Sequence, residues 1–378
     1  MNDLILIGDY KKFKLGIELF LSPPDFSVGT TPSEIIYTED KMKLLHYIPI
    51  AEKQHLVPIL VVYALVNRYY ILDIQPDKSV IRKLLDKGFD IYIIDWGYPS
   101  GVDRYLTIDD YVNGYINNAV DKIKKLSGLD KISLLGVCQG GTLSVMYAAL
   151  HPEKVKNLIT LVTPVNFDTD KGLLHIWAKG LDVDSIVDNY GIVPGDLLNS
   201  GFLLTDPFRL MIDKYIGLFE RIESGPDEAV CQQRNEETVK NFLRMEKWIF
   251  DSPDQAGETF RQFMKDCYQK NLLIKNKMEL NGKRIDLEKI SMPLLNVMAE
   301  FDHLVPNDAS IPLNDAVSSS DKETLIFPTG HIGIFVGSKS QKEVCPRIAE
   351  WLKPRSLVNG KKKIEQKRKS RKSGVKIK

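Results

Sequence analysis

The 378-residue sequence is poor in cysteine: its four (Cys138, Cys231, Cys267 and Cys345) lie far apart and form no CxxC pair. That scatter speaks against a thiolate metal site and against a disulfide framework, so reduced thiols, a cytoplasmic protein and no metal are expected. Long apolar runs are also missing. The longest, residues 59–66, falls well short of the roughly 20 residues that a bilayer-crossing helix needs. Near the N-terminus the apolar residues 4–7 stop at Gly8-Asp9 with no basic stretch before them, so neither a signal peptide nor a membrane helix is expected. An excess of one charge is lacking too, with 51 Lys and Arg against 50 Asp and Glu. The balance hides an asymmetry, because residues 353–378 hold 12 Lys or Arg and a single acid, Glu365, which leaves 39 basic and 49 acidic residues in 1–352. An acidic body is not a nucleic-acid binder by general charge. The tail reads as solvated and disordered; attraction to an acidic partner, nucleic acid or an anionic lipid surface is the weaker alternative.

What is present is an alternation of strand and helix patterns. Residues 34–38 and 42–48 flank Glu39-Asp40 and read as an antiparallel hairpin at a sheet edge. Residues 58–65 form a continuous apolar run, as in a strand covered on both faces. Val80, Ile81, Leu84 and Leu85 then repeat at helical spacing behind Asp77, with Gly88 placed to end the helix. A strand over 90–94 follows, then a helix capped by Thr107 whose apolar face is Tyr111, Val112, Tyr115, Ile116, Ile123 and Leu126. Further strands are expected over 158–162, 293–298 and 323–327, and a last helix over 340–352. This order builds a mostly parallel sheet with helices on both faces. Before the sheet, a short helix is expected over 11–21.

The chain is organised around Leu134-Leu135-Gly136-Val137-Cys138-Gln139-Gly140-Gly141-Thr142. An apolar strand enters a glycine turn and an apolar helix leaves it, which is the nucleophile elbow of the α/β-hydrolase fold with cysteine in place of serine. At the tip of so sharp a turn a neighbouring Cβ has no room. The adjoining helix N-terminus favours negative charge on the sulfur and on an oxyanion. A buried structural cysteine is the plainer reading of the pentapeptide alone. Two later segments weigh against it, because such a fold carries its acid and histidine after the nucleophile, on loops at the carboxyl edge of the sheet. Here Asp302 follows one core strand and His331 the last one, which gives Cys138, Asp302 and His331 in the expected order. His331 is then the base or ion-pair partner of the sulfur, and Asp302 orients it. The oxyanion is expected to meet the backbone N–H of Gln139 and a second one from Val66 or Asn67. His303, beside the acid, is the rival base.

Between Asn166 and Arg284 the alternation gives way to an irregular helical pattern, read as a cap on the side where the nucleophile points. An independent helical domain is the alternative. The expected division is therefore an N-terminal segment (1–33), a first core part (34–166), a cap (167–284), a second core part (285–352) and a basic tail (353–378). Sulfur narrows the chemistry as well. A thiol exchanges one thioester for another at little energetic cost and keeps the acyl group activated, which suits transacylation in a site that excludes water.

Several blocks carry a closer likeness: Asn67-Arg68-Tyr69-Tyr70-Ile71-Leu72-Asp73, Asp95-Trp96-Gly97-Tyr98-Pro99, the elbow itself, Asn271-Leu272-Leu273, Phe301-Asp302-His303-Leu304-Val305-Pro306 and Gly330-His331-Ile332-Gly333-Ile334. Over residues 34–352 the chain resembles the catalytic subunit of polyhydroxyalkanoate synthases of the short, heteromeric type. The resemblance implies polymerisation of (R)-3-hydroxyacyl-CoA, foremost 3-hydroxybutyryl-CoA, with release of CoA and no other cofactor. It implies that Cys138 carries the acyl chain, that His331 activates it, and that Asp302 helps to activate the attacking 3-hydroxyl. It further implies a smaller second subunit, room for a homodimer and association with a polymer granule. A cysteine thioesterase or lactone hydrolase of the same fold, and a non-catalytic granule-surface scaffold, are the alternatives.

Overall fold

The computed structural model describes residues 12, 14–19, 21–22, 24–52 and 54–356. Its centre is an eight-stranded sheet. The strands are β1 (Ser33–Glu39), β2 (Met42–Tyr47), β3 (Ile59–Val62), β4 (Ile91–Asp95), β5 (Ile132–Val137), β6 (Val155–Leu161), β7 (Leu294–Ala299) and β8 (Lys322–Phe327). They lie in the order β1-β2-β4-β3-β5-β6-β7-β8. The hairpin β1–β2 is antiparallel and β2 pairs antiparallel with β4; every later pairing is parallel. All parallel strands therefore present their carboxyl ends to one edge.

Alternating residues show why the run over β3 is apolar throughout. Leu60 and Val62 pack with Tyr92, Leu134 and Leu158 on one face, while Ile59 and Val61 pack with Ile91, Leu135 and Ile159 on the other. Helices cover both faces, so no strand residue there has a solvent side to be polar on. The edge strands differ: β8 alternates exposed and partly buried residues up to Phe327, and β1 has no buried residue. The helix Gln139–Leu150 lies against the sheet centre with ten of its twelve residues buried, which is why it is apolar all round rather than striped.

Several boundaries move by a residue or two, each for a local reason. The helix expected behind Asp77 is Val80–Asp86, capped by Ser79, whose Oγ accepts the Arg82 N–H at 2.9 Å. Leu126, placed on the apolar face of its helix, is 55% exposed in the last turn, before Gly128 ends the helix at φ 69°. The tail expected from 353 begins later. Cys345–Arg355 is one helix, and Arg355 holds its end by hydrogen bonds to both Asp321 oxygens (2.6 and 2.9 Å) and by stacking on Trp351. The rest of the basic tail, 357–378, lies outside the described residues. So does part of the expected N-terminal helix, of which residues 12, 14–19 and 21 are helical.

Between β6 and β7 the chain forms a series of helices, including Leu173–Gly180, Gly195–Leu203 and the long Glu228–Phe250. Within this stretch, Phe263, Cys267, Leu273, Met278 and Leu280 join the same cluster as Leu134 and Leu158. The last part of the insertion is thus built into the core. Among the described residues no helix is long and apolar enough to cross a membrane, and no group of three His, Cys, Asp or Glu could hold a metal ion.

Candidate active site

The strand β5 stops at Cys138, whose φ of 52° and ψ of −125° belong to neither helix nor strand. A positive φ on a residue with a Cβ is strained and persists only where its surroundings enforce it. Here the Cys138 N–H donates to the Leu161 carbonyl of β6 at 2.9 Å, and the Cys138 carbonyl accepts the N–H groups of Gly141 (2.9 Å) and Thr142 (3.2 Å). The neighbouring glycines are fixed by sterics. A Cβ on Gly140 would strike the backbone of Val62 and Tyr63, and one on Gly141 the side chain of Thr163.

Asp302 lies in the loop after β7. Its Oδ1 accepts the backbone N–H groups of Leu304 (3.0 Å) and Val305 (2.8 Å), and its Oδ2 meets His331 Nδ1 at 2.7 Å. The Asp302 side chain has no exposed surface, and that of His331 is 6% exposed. His331, in the loop after β8, lines the same cavity as Cys138. Burial alone favours the neutral imidazole. The charge of Asp302, the neighbouring Cys138 and the hydrogen bond to Asp302 outweigh it and push the His331 pKa up to about 10. The structure therefore brings Cys138, Asp302 and His331 together. His303 lines the same cavity, but among the described residues its two buried ring nitrogens have no partner, and burial followed by the charge of Arg209 pushes its pKa down.

Gln139 is the first residue of the elbow helix, where N–H groups have no partner within the helix. Val66 and Asn67 line the same cavity as Gln139 and Cys138. The Leu65 N–H, one step earlier, is taken by Gln139 Oε1 at 3.0 Å, which ties this loop to the elbow. A second tie reaches the insertion. Asn67 Nδ2 donates to the carbonyls of Trp248 (3.2 Å) and Ile249 (3.0 Å), and the Trp248 indole N–H donates back to the Arg68 carbonyl at 2.8 Å. Beside them Tyr70 and Tyr98 both donate to Asp251, at 2.8 and 2.7 Å. Arg68 is held in turn by Asp95 at 2.8 Å and the Gly97 carbonyl at 2.9 Å. Trp248→Phe puts a smaller ring in place of the indole and removes the shorter of two hydrogen bonds to the Arg68 carbonyl, which keeps only the Ile71 N–H at 3.4 Å. Urea unfolding is expected to show a loss of about 1–3 kcal/mol.

The elbow opens into a cavity of about 710 Å³, walled on the insertion side by Leu174, Trp177, Leu198, Phe202, Phe260 and Met264. Two phenols that the sequence did not single out, Tyr63 and Tyr268, also line it. Burial, and then the charge of the nearby sulfur, raises the pKa of both, so they stay neutral. Neither phenol carries a motif signal. Trp248 and Asp251 were equally unmarked, because their partners lie some 180 residues away.

Comparison with known proteins adds the family. The family model for the alpha/beta hydrolase fold matches residues 57–338, and that for the poly-beta-hydroxybutyrate polymerase (PhaC) N-terminus matches residues 6–84. A poly(3-hydroxyalkanoate) polymerase subunit PhaC from Allochromatium vinosum is 50% identical over 353 residues, covering 92% of this chain and 96% of that protein. Its namesake from Thiocystis violacea is 50% identical over 350 residues, with the same shares covered. Among solved structures, a candidate lipase from Sulfolobus solfataricus superimposes with a TM-score of 0.51 at 15% identity, covering 88% of this chain and 99% of that one, which shows the fold alone. With half of its residues shared along nearly the full length of two such subunits, the chain belongs to the poly(3-hydroxyalkanoate) polymerase family.

Proposed function

We propose that the protein polymerises (R)-3-hydroxyacyl-CoA, 3-hydroxybutyryl-CoA foremost, into polyester with release of CoA, through an acyl thioester on Cys138. The observation that carries this reading is the elbow sulfur facing a buried, proton-holding His331–Asp302 pair at an apolar cavity, in a chain of this family. The sulfur, paired with the imidazolium, attacks the thioester carbonyl, and the oxyanion is met by the Gln139 N–H and one from Val66 or Asn67. Collapse breaks the bond to CoA, whose thiolate leaves with the proton from His331. The 3-hydroxyl of a second acyl unit then attacks the enzyme thioester and gives its proton to His331. A carbon–oxygen bond forms, the carbon–sulfur bond breaks, and the chain is one unit longer.

Asp302 acts through His331 in this scheme. Both of its oxygens are engaged and its side chain is shut off from the cavity, which supports orienting the imidazole over contacting the substrate hydroxyl. The insertion helices that wall the cavity, among them Leu173–Gly180 and Gly195–Leu203, serve as the cap that keeps water from the acyl enzyme. In the same reading the protein works in the cytoplasm at a polymer granule with a smaller second subunit, can pair with a second copy of itself, and uses no cofactor beyond the thioester. The test is product analysis with 3-hydroxybutyryl-CoA, with and without a candidate partner subunit. Polymer in proportion to released CoA is expected, whereas free acid in that proportion, with no polymer, makes the protein a hydrolase.

A further inference from the structure

The apolar wall of the cavity is interrupted by four carboxamides: Asn67, Gln139, Asn199 and Gln255. The first two are engaged, Asn67 with the Trp248 and Ile249 carbonyls and Gln139 with the Leu65 N–H. Asn199 and Gln255 are only 7% and 4% exposed, and among the described residues neither side chain has a hydrogen-bond partner. The segments that carry them are neighbours. Gln255 pairs with Val193, and the Gly195 N–H at the start of the Asn199 helix donates to Asp254 at 2.8 Å. Neither carboxamide is among the buried polar groups sealed off without a partner, so both are open to the cavity, where each can take an acceptor on its NH₂ and a donor on its oxygen.

We infer that Asn199 and Gln255 bind the amide groups of the pantetheine arm of the incoming acyl-CoA; this rests on the reaction proposed above. Complementarity separates the arm from the product. A polyester repeat offers carbonyl acceptors but no N–H, so it satisfies the NH₂ groups and gives neither carboxamide oxygen a donor. The pantetheine arm has two secondary amides, each a donor and an acceptor, set on short alkyl spacers behind the reacting sulfur. Leu198, Phe202, Phe260 and Met264, which line the same cavity, suit those spacers. The pair thus recognises the leaving group, while the rest of the cavity takes the acyl chain.

Asn199→Leu and Gln255→Met retain approximate shape and remove both hydrogen-bonding functions. With 3-hydroxybutyryl-CoA each variant is expected to raise KM about tenfold, the size of one lost hydrogen bond. With the S-ethyl thioester of 3-hydroxybutyrate, which has no amide, kcat/KM is expected to stay within about twofold of the parent. A measurement on the unaltered protein stands apart from any folding defect: pantetheine should compete with 3-hydroxybutyryl-CoA, and an alkanethiol of equal length should not. Unchanged KM in both variants, equal loss with both thioesters, or equal competition by the two thiols overturns the inference. An unaltered protein that releases thiol from neither thioester overturns the polymerase reading itself.

Discussion

Cys138→Ala is expected to abolish CoA release from 3-hydroxybutyryl-CoA, a loss of about 10⁴-fold or more, while the thermal midpoint stays close to that of the parent. The substitution removes only the sulfur. Alanine has the same Cβ as cysteine, so the strain of the positive φ is unchanged, and the backbone hydrogen bonds that enforce it do not involve the side chain. A scaffold protein would be indifferent to the change, so unaltered activity in granule assembly together with unaltered CoA release would sink the enzymatic reading. The same variant has a second readout. Cys138 is one of the groups that raise the His331 pKa; without its sulfur, burial regains weight and the imidazole should titrate below its parent value by NMR. An unmoved His331 would mean that the sulfur and the ring do not share charge.

Asp302→Asn has the next largest effect, a fall of about 10³–10⁴-fold in acylation rate. Two backbone N–H groups point at Oδ1, so the asparagine oxygen must take that place and the NH₂ must face His331 Nδ1. The ring then has to accept at Nδ1 and carry its proton on the nitrogen toward the sulfur, the wrong tautomer for taking a proton from the substrate hydroxyl. Stability follows the same pair. The folded pKa of His331, about 10, lies above the unfolded value near 6.5. Its contribution is therefore fully present below about pH 6.5 and is lost as pH rises toward 10. Urea unfolding of the parent at pH 6, 8 and 10 should show that decline, and Asp302→Asn should flatten it. Equal slopes would mean that the carboxylate does not hold the proton in place.

The parts of this molecule that sequence made legible are those written in local patterns. The apolar run at β3, the glycine turn around Cys138, and the order of Cys138, Asp302 and His331 all depend on spacing along the chain or on a rule of the fold. The fold expected from them is the one found, Asp302 meets His331, and His331 lines the cavity that Cys138 also lines. What escaped reading depends on contacts across the chain. Arg355 extends the last helix because Asp321 happens to lie beside it. Phe263 and Met278, inside the stretch read as cap, belong to the core because the sheet's helical layer closes over them. Trp248 shows nothing in its neighbours that marks it as a partner of Arg68. Tyr63, Tyr268, Asn199 and Gln255 gain meaning only once a cavity exists for them to face.

The placement of β7 and β8 at the end of the chain bears on how the protein is made. During translation the elbow sulfur emerges with β5, whereas the carboxylate and imidazole that serve it wait for residues 302 and 331 to leave the ribosome. On the proposed mechanism, until β8 docks on β7 the nascent polypeptide holds a thiol without its proton partner, and an unfinished copy is not expected to begin drawing on the cell's acyl thioesters.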